Sequence, residues 1–473
     1  MIPMTLADIA SATGGTLSDV PDPGALVTGP AASDSREVVP GGMFAAVTGA
    51  HVDGHDFAAG AVAAGAVCVI ASRPVGVPAV VVPDVVAALG KLAQAVLTRI
   101  GSPAVIALTG SSGKTSTKDL LSQVLQELGP TVATPRSFNT EIGLPLTVLT
   151  ADQSTRYLVL EMGARHKGDI AYLASLTPPR IGLVLNVGSA HIGEFGSKPA
   201  IAAAKGELVE ALPDAGHGGV AVLNADDDLV AAMATRTAAG VLRYGQAPDA
   251  AVRASDVDFD DQGRASFTLI TPAGTAPVRL QMPGEHQVSN ALATAAVAHA
   301  LGLETAAAAG ALSAARSLSP GRMQVIERGD GVTIINDAFN ANPESMRAGL
   351  RALATMGAGR RTIAVLGEMR ELGPHAAAGH AQTGELVGQL GIGMLVAVGA
   401  EDAQTLAGAA RRVNPALTIE MAADRHAAGG LLRDRLKPGD IVLVKASHSV
   451  QLDDLALSLA VQPDNGRPDN GRG

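Results

Sequence analysis

The chain has 473 residues, of which 47% are hydrophobic, and its formal net charge is -10. A chain of this length predicts several domains rather than one core. The negative charge argues against nucleic-acid binding, which needs clustered Lys and Arg, although a few cations and backbone amides can still bind an anionic substrate. The N-terminus lacks the pattern of a secretory signal, and no apolar run is long enough to span a membrane. We therefore expect a cytoplasmic protein without membrane insertion.

The first predicted domain covers residues 1–100 and mixes short apolar strands with Gly- and Pro-containing turns, such as the one at Asp53-Gly54-His55. It contains the only cysteine of the chain, Cys68, so an intrachain disulfide is excluded. Because Cys68 lies within the apolar run 66–70, we interpret it as a core side chain rather than a nucleophile.

The second predicted domain, residues 101–318, begins with a phosphate-binding pattern. Residues 104–108 form an apolar run typical of a buried parallel strand, and a helical pattern of leucines follows. Between them lies TGSSGKT, residues 109–115. Its glycines allow successive amides to point inward, Lys114 can reach the terminal phosphates, and the Thr115 hydroxyl can bind Mg²⁺. Leu108 replaces the first glycine of the longer P-loop motif, and a simple glycine turn with a solvated lysine is the alternative.

Polar residues follow the later strands of this domain. Apolar runs at residues 157–160, 181–185 and 220–223 are separated by helix-length segments, which predicts a parallel sheet with crossover helices. Glu161 ends the first run and His191 follows the second, so both are expected at the carboxyl edge of the sheet near Lys114. Glu161 is a natural Mg²⁺ ligand, whereas His191 could equally be a hydrogen-bonding loop residue. Lys205, taken alone, is typical of a surface lysine.

The third predicted domain, residues 319–461, begins near Ser319-Pro320-Gly321, a candidate hinge. Apolar runs at 333–335, 362–366, 394–398 and 441–444 again alternate with helix-length segments. The predicted fold class is therefore α/β with three domains, of which the central one is a P-loop parallel-sheet ATPase domain and the C-terminal one is Rossmann-like. Residues 462–473 contain a duplicated PDNGR segment, which predicts a disordered tail.

Several segments occur in the order seen in Mur ligases, the enzymes that join amino acids or peptides to UDP-N-acetylmuramate, and the chain resembles this family over most of its length. The matching segments are residues 109–115, 161–163, 186–191, 204–207 and 224–227. NANP at 340–343 and GEMRELG at 367–373 are most similar to the branch that adds D-alanyl-D-alanine. The nearest rivals are the diaminopimelate- or lysine-adding ligases and the folate polyglutamylating enzyme. A regulatory P-loop GTPase is a rival from another class, although residues 224–227 lack the lysine of a guanine-binding motif.

The resemblance implies an ATP-dependent amide ligase that acts through an acyl phosphate, uses ATP and two Mg²⁺ ions, and takes UDP-N-acetylmuramoyl-tripeptide and D-alanyl-D-alanine as substrates. We also expect a monomer. The implied nucleotide-binding residues are Gly110, Ser111, Ser112, Gly113, Lys114, Thr115, Asn290, Arg322, Asp337, Asn340 and Asn342. The implied metal-binding and catalytic residues are Thr115, Glu161, His191 and Lys205, the last carbamylated, together with Lys114 as a catalytic cation. The implied residues for the UDP-linked substrate are Ser33, Asp34, Ser35, Arg36, Asp53, His55, Asn139 and Thr140. For Asp34, Ser35, Arg36 and His55, a capped turn without a ligand is an equal alternative.

Overall fold

The computed structural model describes residues 1–49 and 51–461, so the predicted disordered tail at 462–473 lies outside the described residues. The chain forms three successive α/β regions, each built around a largely parallel sheet. The predicted α/β fold class is confirmed. No helix in the described part of the chain has the length and apolar character needed to cross a membrane.

The first region packs three helices with a five-stranded sheet and a two-stranded ribbon. Its elements are β1 (Met4–Thr5), α1 (Leu6–Thr13), β2 (Thr16–Ser18), β3 (Leu26–Val27), β4 (Ala31–Ala32), β5 (Met43–Ala45), α2 (Ala58–Ala63), β6 (Cys68–Ala71), β7 (Ala79–Val81) and α3 (Val85–Arg99). The larger sheet has the order β2-β7-β6-β5-β4, and only β2 runs antiparallel to its neighbour. Cys68 is fully buried in β6, and burial raises its thiol pKa to about 12, which confirms it as a core side chain.

The central region contains a six-stranded parallel sheet of order β13-β12-β11-β8-β10-β9. Its strands are β8 (Ala104–Thr109), β9 (Thr131–Ala133), β10 (Tyr157–Glu161), β11 (Ile181–Val184), β12 (Val220–Asn224) and β13 (Gly240–Tyr244). Its helices are α4 (Lys114–Val124), α5 (Gly143–Val148), α6 (Asp169–Leu176), α7 (Ile192–Phe195), α8 (Lys198–Glu210), α9 (Asp228–Ala231), α10 (His286–Ala300) and α11 (Thr305–Ala314). The chain moves from one side of β8 to the other after β10, so the loops that follow β8, β10 and β11 meet at one edge.

A second, antiparallel sheet in the central region was not anticipated from the sequence. It consists of β14 (Arg253–Phe259), β15 (Arg264–Thr271) and β16 (Gly274–Pro283). Along β15, buried and partly exposed residues alternate, as expected for a sheet with one face on the core. This sheet packs against α10 and α11, and its buried side chains extend the core on the α4 side of the parallel sheet.

The third region is a six-stranded sheet of order β17-β18-β22-β19-β20-β21, in which only the edge strand β17 is antiparallel. Its strands are β17 (Gln324–Glu327), β18 (Thr333–Asn336), β19 (Thr362–Gly367), β20 (Met394–Val398), β21 (Thr418–Ala422) and β22 (Ile441–Lys445). Its helices are α12 (Pro343–Met356), α13 (Ala376–Gln389), α14 (Glu401–Val413), α15 (Arg425–Arg435) and α16 (Leu452–Ala460). Each of the four apolar runs predicted here as strands lies within β18, β19, β20 or β22.

Candidate nucleotide site

The glycine-rich loop connects β8 to the N-terminus of α4, as the sequence predicts. Gly113 precedes the helix with φ +80°, in the left-handed region that side chains disfavour. A Cβ atom at this position would lie 2.7 Å from Oδ1 of Asn290, so glycine is required both for the conformation and for the space. The loop therefore has the shape of a phosphate cradle at a helix N-terminus, where the first amides of α4 have no partner within the helix.

Asn186, at the end of the β11 segment, holds the loop in place. Its Oδ1 accepts hydrogen bonds from the backbone amides of Ser111 (3.0 Å) and Ser112 (2.9 Å). The Ser111 hydroxyl accepts a further bond, 2.9 Å long, from the amide of Gly188. The sequence predicts that the loop amides face the phosphates, but the amides of Ser111 and Ser112 are engaged within the protein. The amides at the start of α4 are the better candidates, and the holding role of Asn186 was missed.

Lys114 is the first residue of α4, and its Nζ donates a 2.7 Å hydrogen bond back to the carbonyl oxygen of Gly110. Burial lowers the pKa of Lys114, and the nearby charge of Arg322 acts in the same direction, whereas the Glu161 carboxylate opposes the shift. The lysine is thus a desolvated cation beside the loop. Such a cation interacts strongly with an anionic ligand.

Thr115 and Glu161 meet as predicted. β10 lies directly beside β8, and this brings Oε2 of Glu161 to 3.0 Å from the Thr115 hydroxyl, which donates to it. The other carboxylate oxygen accepts a 2.8 Å bond from Nδ2 of Asn139, a residue predicted to bind the UDP-linked substrate. Glu161 is only 1% exposed. A buried carboxylate and a hydroxyl on adjoining elements form an oxygen donor set that suits Mg²⁺.

Lys205 is buried on α8, in contrast to the surface position expected from its sequence context alone. Burial, followed by the positive charge of Lys114, holds the pKa of Lys205 well below its ordinary value. A lysine in this environment favours the neutral amine. The neutral form is also the one that can react with CO₂.

His191 connects the central and third regions. Its backbone is left-handed, with φ +59°, and its Nδ1 lies 2.6 Å from Oε2 of Glu371, in the loop after β19; this is an ion-pair distance, but the ring nitrogen is not aligned for a hydrogen bond to the carboxylate. This contact lowers the pKa of Glu371. Among the residues that the structure describes, no group of three or more His, Cys, Asp or Glu side chains could hold a metal ion. A metal-binding role for His191 stays a prediction.

Asp227 ends the segment 224–227, which lacks the lysine of a guanine-binding motif. Its Oδ2 accepts a 2.8 Å bond from the amide of Val187, and its Oδ1 caps α9 through the amides of Leu229 and Val230. These bonds account for the aspartate as a structural residue of the loop between β12 and α9.

Arg322 extends from the third region to the central site. One of its terminal nitrogens donates to the Thr115 hydroxyl at 3.2 Å, and its guanidinium carbon lies 4.1 Å above the centre of the Phe339 ring. Its Nε is buried and has no hydrogen-bond partner within the described chain. Burial lowers the pKa of Arg322, with Glu161 and Asp337 opposing the shift. A buried guanidinium with an unused donor is suited to an anionic ligand.

The other predicted nucleotide residues of the third region have clear contacts within the protein. Asp337 pairs with Nζ of Lys445 at 2.6 Å, and Lys445 also donates to the carbonyl oxygen of Asn340 at 2.9 Å. Asn342 caps α12 by accepting a 2.8 Å bond from the amide of Ser345. These side chains order the segment that faces the loop, and direct contact with a nucleotide stays a prediction for them.

Asn290, predicted to contact adenine, lies on α10 behind the glycine-rich loop. Its Oδ1 accepts a 3.2 Å bond from the Thr117 hydroxyl, and its Nδ2 donates to Gln287 at 3.0 Å. The side chain is buried and packs against Gly113. The structure therefore supports a role in shaping the loop, and the adenine contact stays untested.

The predicted residues of the first region lie in two capped turns. Asp34 caps the short turn Ser35–Glu37 and pairs with Arg36, which lowers the pKa of Asp34 to about 2. Asp53 caps the turn Gly54–Phe57 and contacts Nδ1 of His55 at 2.6 Å. Nε2 of His55 accepts a bond from the amide of Ser72, so Nδ1 carries the proton. The remaining predicted residues of the UDP-linked substrate site, Ser33 and Thr140, are exposed.

Comparisons with known proteins agree with this architecture. Three family models match the chain in order: the Mur ligase family catalytic domain at residues 32–100, the Mur ligase middle domain at 108–298, and the Mur ligase glutamate ligase domain at 321–448. A UDP-N-acetylmuramoyl-tripeptide--D-alanyl-D-alanine ligase of Mycobacterium bovis is 49% identical, with 97% of this chain and 98% of that protein covered.

Solved structures give the same picture. MurF from Acinetobacter baumannii matches with a TM-score of 0.85 at 31% identity, over 97% of this chain and 99% of that one. MurF ligase from Thermotoga maritima, solved in complex with ADP, matches with a TM-score of 0.76 at 30% identity, over 92% of this chain and 97% of that one.

Proposed function

The chain belongs to the Mur ligase family, and we propose that it joins D-alanyl-D-alanine to UDP-N-acetylmuramoyl-tripeptide at the expense of ATP, a step of peptidoglycan precursor synthesis. The observation that carries this proposal is the 49% identity to a ligase of that name across nearly the whole of both chains. The partly buried Lys114 and the buried Thr115 and Glu161 around the glycine-rich loop supply the chemistry that such a reaction needs.

Making an amide from a carboxylate and an amine in water is uphill, so the carboxylate must be activated. In the proposed reaction, the terminal carboxylate of the tripeptide attacks the γ-phosphorus of ATP, which gives an acyl phosphate and ADP. The amine of D-alanyl-D-alanine then attacks the acyl carbon, the C–O bond to phosphate breaks, and the amine loses a proton. Phosphoryl transfer mainly requires positioning and charge neutralisation from the protein.

The loop residues match these requirements. Lys114 and the first amides of α4 would hold the terminal phosphates, with Arg322 reaching the same position from the third region. Thr115 and Glu161 would hold Mg²⁺, which supplies positive charge against the phosphates when bound. A second Mg²⁺ near His191 is part of the same proposal.

Lys205 completes the proposed site as a carbamate. In its neutral form the buried Lys205 amine would take up CO₂ and release a proton, so that an anionic carbamate stands where a protonated lysine would repel Mg²⁺. The ligation itself needs no covalent intermediate between the substrate and a side chain, and Cys68, buried with a thiol pKa of about 12, is unsuited to forming one.

The three regions have separate proposed tasks. Residues 1–100 would bind the UDP-linked substrate through Ser33, Asp34, Ser35, Arg36, Asp53 and His55, with Asn139 and Thr140 contributed by the central region. Residues 101–318 would bind ATP, and residues 319–461 would close over it about Pro320-Gly321. Asp119 of α4 would anchor one end of this hinge. Its Oδ2 accepts a 2.9 Å bond from the amide of Ser319, the residue immediately before Pro320. We propose that the protein acts as a cytoplasmic monomer.

The proposal is tested by phosphate release from ATP with UDP-N-acetylmuramoyl-tripeptide, measured with and without D-alanyl-D-alanine. We expect release to depend on the dipeptide, to be accompanied by the ligated product in mass spectrometry, and to disappear in Lys114→Ala. If phosphate release is triggered instead by diaminopimelate, lysine or glutamate, each with the carboxylate substrate of its own ligase, the chain would be a different ligase. A preference for GTP over ATP would contradict the nucleotide assignment.

A further inference from the structure

Glu344 makes an extended contact between the third and central regions. It lies in the first turn of α12, and its Oε1 accepts a 3.0 Å hydrogen bond from the backbone amide of Ser189, while its Oε2 accepts a 2.8 Å bond from the Ser189 hydroxyl. One carboxylate thus binds both donors of a single residue across the cleft. Lys198 of α8 adds a looser ionic contact, with its Nζ 3.8 Å from Oε1.

The local backbone is shaped to receive this carboxylate. A Cβ atom at Gly188 would lie 2.8 Å from Cδ of Glu344, so the approach is possible only because residue 188 has no side chain. Two residues after Ser189, His191 adopts a left-handed conformation, which is unfavourable for a residue other than glycine. Strained residues of this kind persist where surrounding contacts hold them.

Glu371, also of the third region, holds the other end of the same segment, mainly through its backbone carbonyl oxygen. Oε2 of Glu371 lies 2.6 Å from Nδ1 of His191, and the carbonyl oxygen of Glu371 accepts a 3.1 Å bond from the amide of Gly193. The segment 188–193 is therefore held between Glu344 and Glu371. It also borders a cavity of about 510 Å³ between the two regions, whose wall includes Ser112 of the glycine-rich loop.

We propose that Glu344 is a positioning residue of the ligase reaction: it orients the segment 188–193, and with it His191, only when the third region has closed on the central one. This inference rests on the proposed function for its kinetic consequences. Its structural consequence, the dependence of the segment's conformation on Glu344, is independent of which substrate is used.

Three variants of Glu344 separate geometry from charge. Glu344→Ala removes both acceptors, and Glu344→Asp is one methylene too short to reach Ser189. Glu344→Gln keeps the length, because its amide oxygen can accept from the Ser189 amide while its NH₂ donates to the hydroxyl oxygen. Arg351→Ala is the matched control, because Arg351 lies on the same helix and makes an exposed contact to Glu285 of the central region, 3.5 Å long.

We expect kcat to fall on the order of 10- to 100-fold in Glu344→Ala and Glu344→Asp, since a small misplacement near the reacting groups has effects of this size. Glu344→Gln should stay within about threefold of the parent and Arg351→Ala within about twofold, while ADP affinity stays unchanged in all four. A change in KM for ATP with an unaltered kcat, or an Asp variant as active as the parent, would overturn the proposal.

Hydrogen exchange supplies the measurement that does not need turnover. A peptide spanning residues 187–193 should exchange faster in Glu344→Ala than in the parent, whereas a peptide from β13 should be unchanged. Equal exchange in the 187–193 peptide would overturn the proposal even if the enzyme is active as proposed. If the 187–193 peptide exchanges faster in Glu344→Ala but phosphate release by the parent does not depend on D-alanyl-D-alanine, the positioning contact is supported and the proposed function is rejected. Ser189→Ala, which loses only the hydroxyl bond, should give a smaller change of the same sign and so guards against misfolding of Glu344→Ala.

Discussion

Replacement of Asp337 by asparagine tests how much the buried ion pair with Lys445 stabilises the third region. The side chains are 10% and 2% exposed, and Nζ of Lys445 lies 2.6 Å from the carboxylate. Loss of one partner of a buried pair costs about 3–5 kcal/mol, because the other charge stays buried. Carbonyl oxygens of Asp337 (3.3 Å) and Asn340 (2.9 Å) still accept from Lys445, so we expect the lower end, about 3 kcal/mol.

Native-state hydrogen exchange of the β22 amides measures this loss within a protein of several domains, where a single unfolding midpoint has no simple meaning. A loss of about 3 kcal/mol corresponds to exchange faster by about 10²-fold, since 1.36 kcal/mol is a factor of ten. The double variant Asp337→Asn/Lys445→Met removes the unpaired charge and should recover most of the stability. A single-variant loss below about 1 kcal/mol, or a double variant as unstable as the sum of the singles, would refute this reasoning.

The same variant has a predicted pH dependence. Burial is the main cause that lowers the pKa of Lys445, and the Asp337 charge opposes it, so Asp337→Asn should lower this pKa further. The folded variant then binds fewer protons than the unfolded chain between the depressed pKa and the ordinary lysine value of about 10.4. Its stability should consequently rise with pH across that window, and more steeply than that of the parent. If the difference in stability between Asp337→Asn and the parent did not change with pH in this window, the influence of the Asp337 charge on the Lys445 pKa would be contradicted.

Three further predictions concern the site. Lys205→Ala should abolish turnover, and partial rescue by a short carboxylic acid would support a carbamate; full activity of the variant would contradict it. Gly113→Ala should weaken ADP binding by about 5- to 30-fold in calorimetry, because a left-handed alanine costs about 1–2 kcal/mol and its methyl group would lie 2.7 Å from Oδ1 of Asn290. Gly359→Ala is the control: Gly359 has φ +77° but open space around it, and this variant should bind ADP normally. Because His191 lowers the pKa of Glu371, the stabilising contribution of Glu371 is present above the ordinary glutamate pKa and is lost as the pH falls through the depressed value. Glu371→Gln should flatten this acidic part of the pH profile of local stability, measured by amide exchange in residues 188–193, and an unchanged profile would exclude the contact.

The sequence determined the parts of this protein that depend on local pattern. A strand, a glycine-rich turn and a helix in succession identified the loop that contains Lys114, because periodicity and glycine content act over a few residues. Parallel strands place their carboxyl ends at one edge, and this rule predicted that Glu161 lies near the loop of Lys114, whereas its pairing with Thr115 was implied by the family resemblance. The apolar run around Cys68 likewise predicted a buried thiol.

The tertiary structure alone decided which polar groups are used inside the protein. Asn186 holds the loop amides, Asp337 is paired with Lys445, and Lys205 is buried beside another cation, although its sequence context is that of a surface helix. Hydrogen bonds and desolvation depend on atoms that are distant in sequence, and they act over a few ångströms. A pattern of residues along the chain therefore predicts where a polar side chain lies on its element, but only the packed regions determine its partner and its charge.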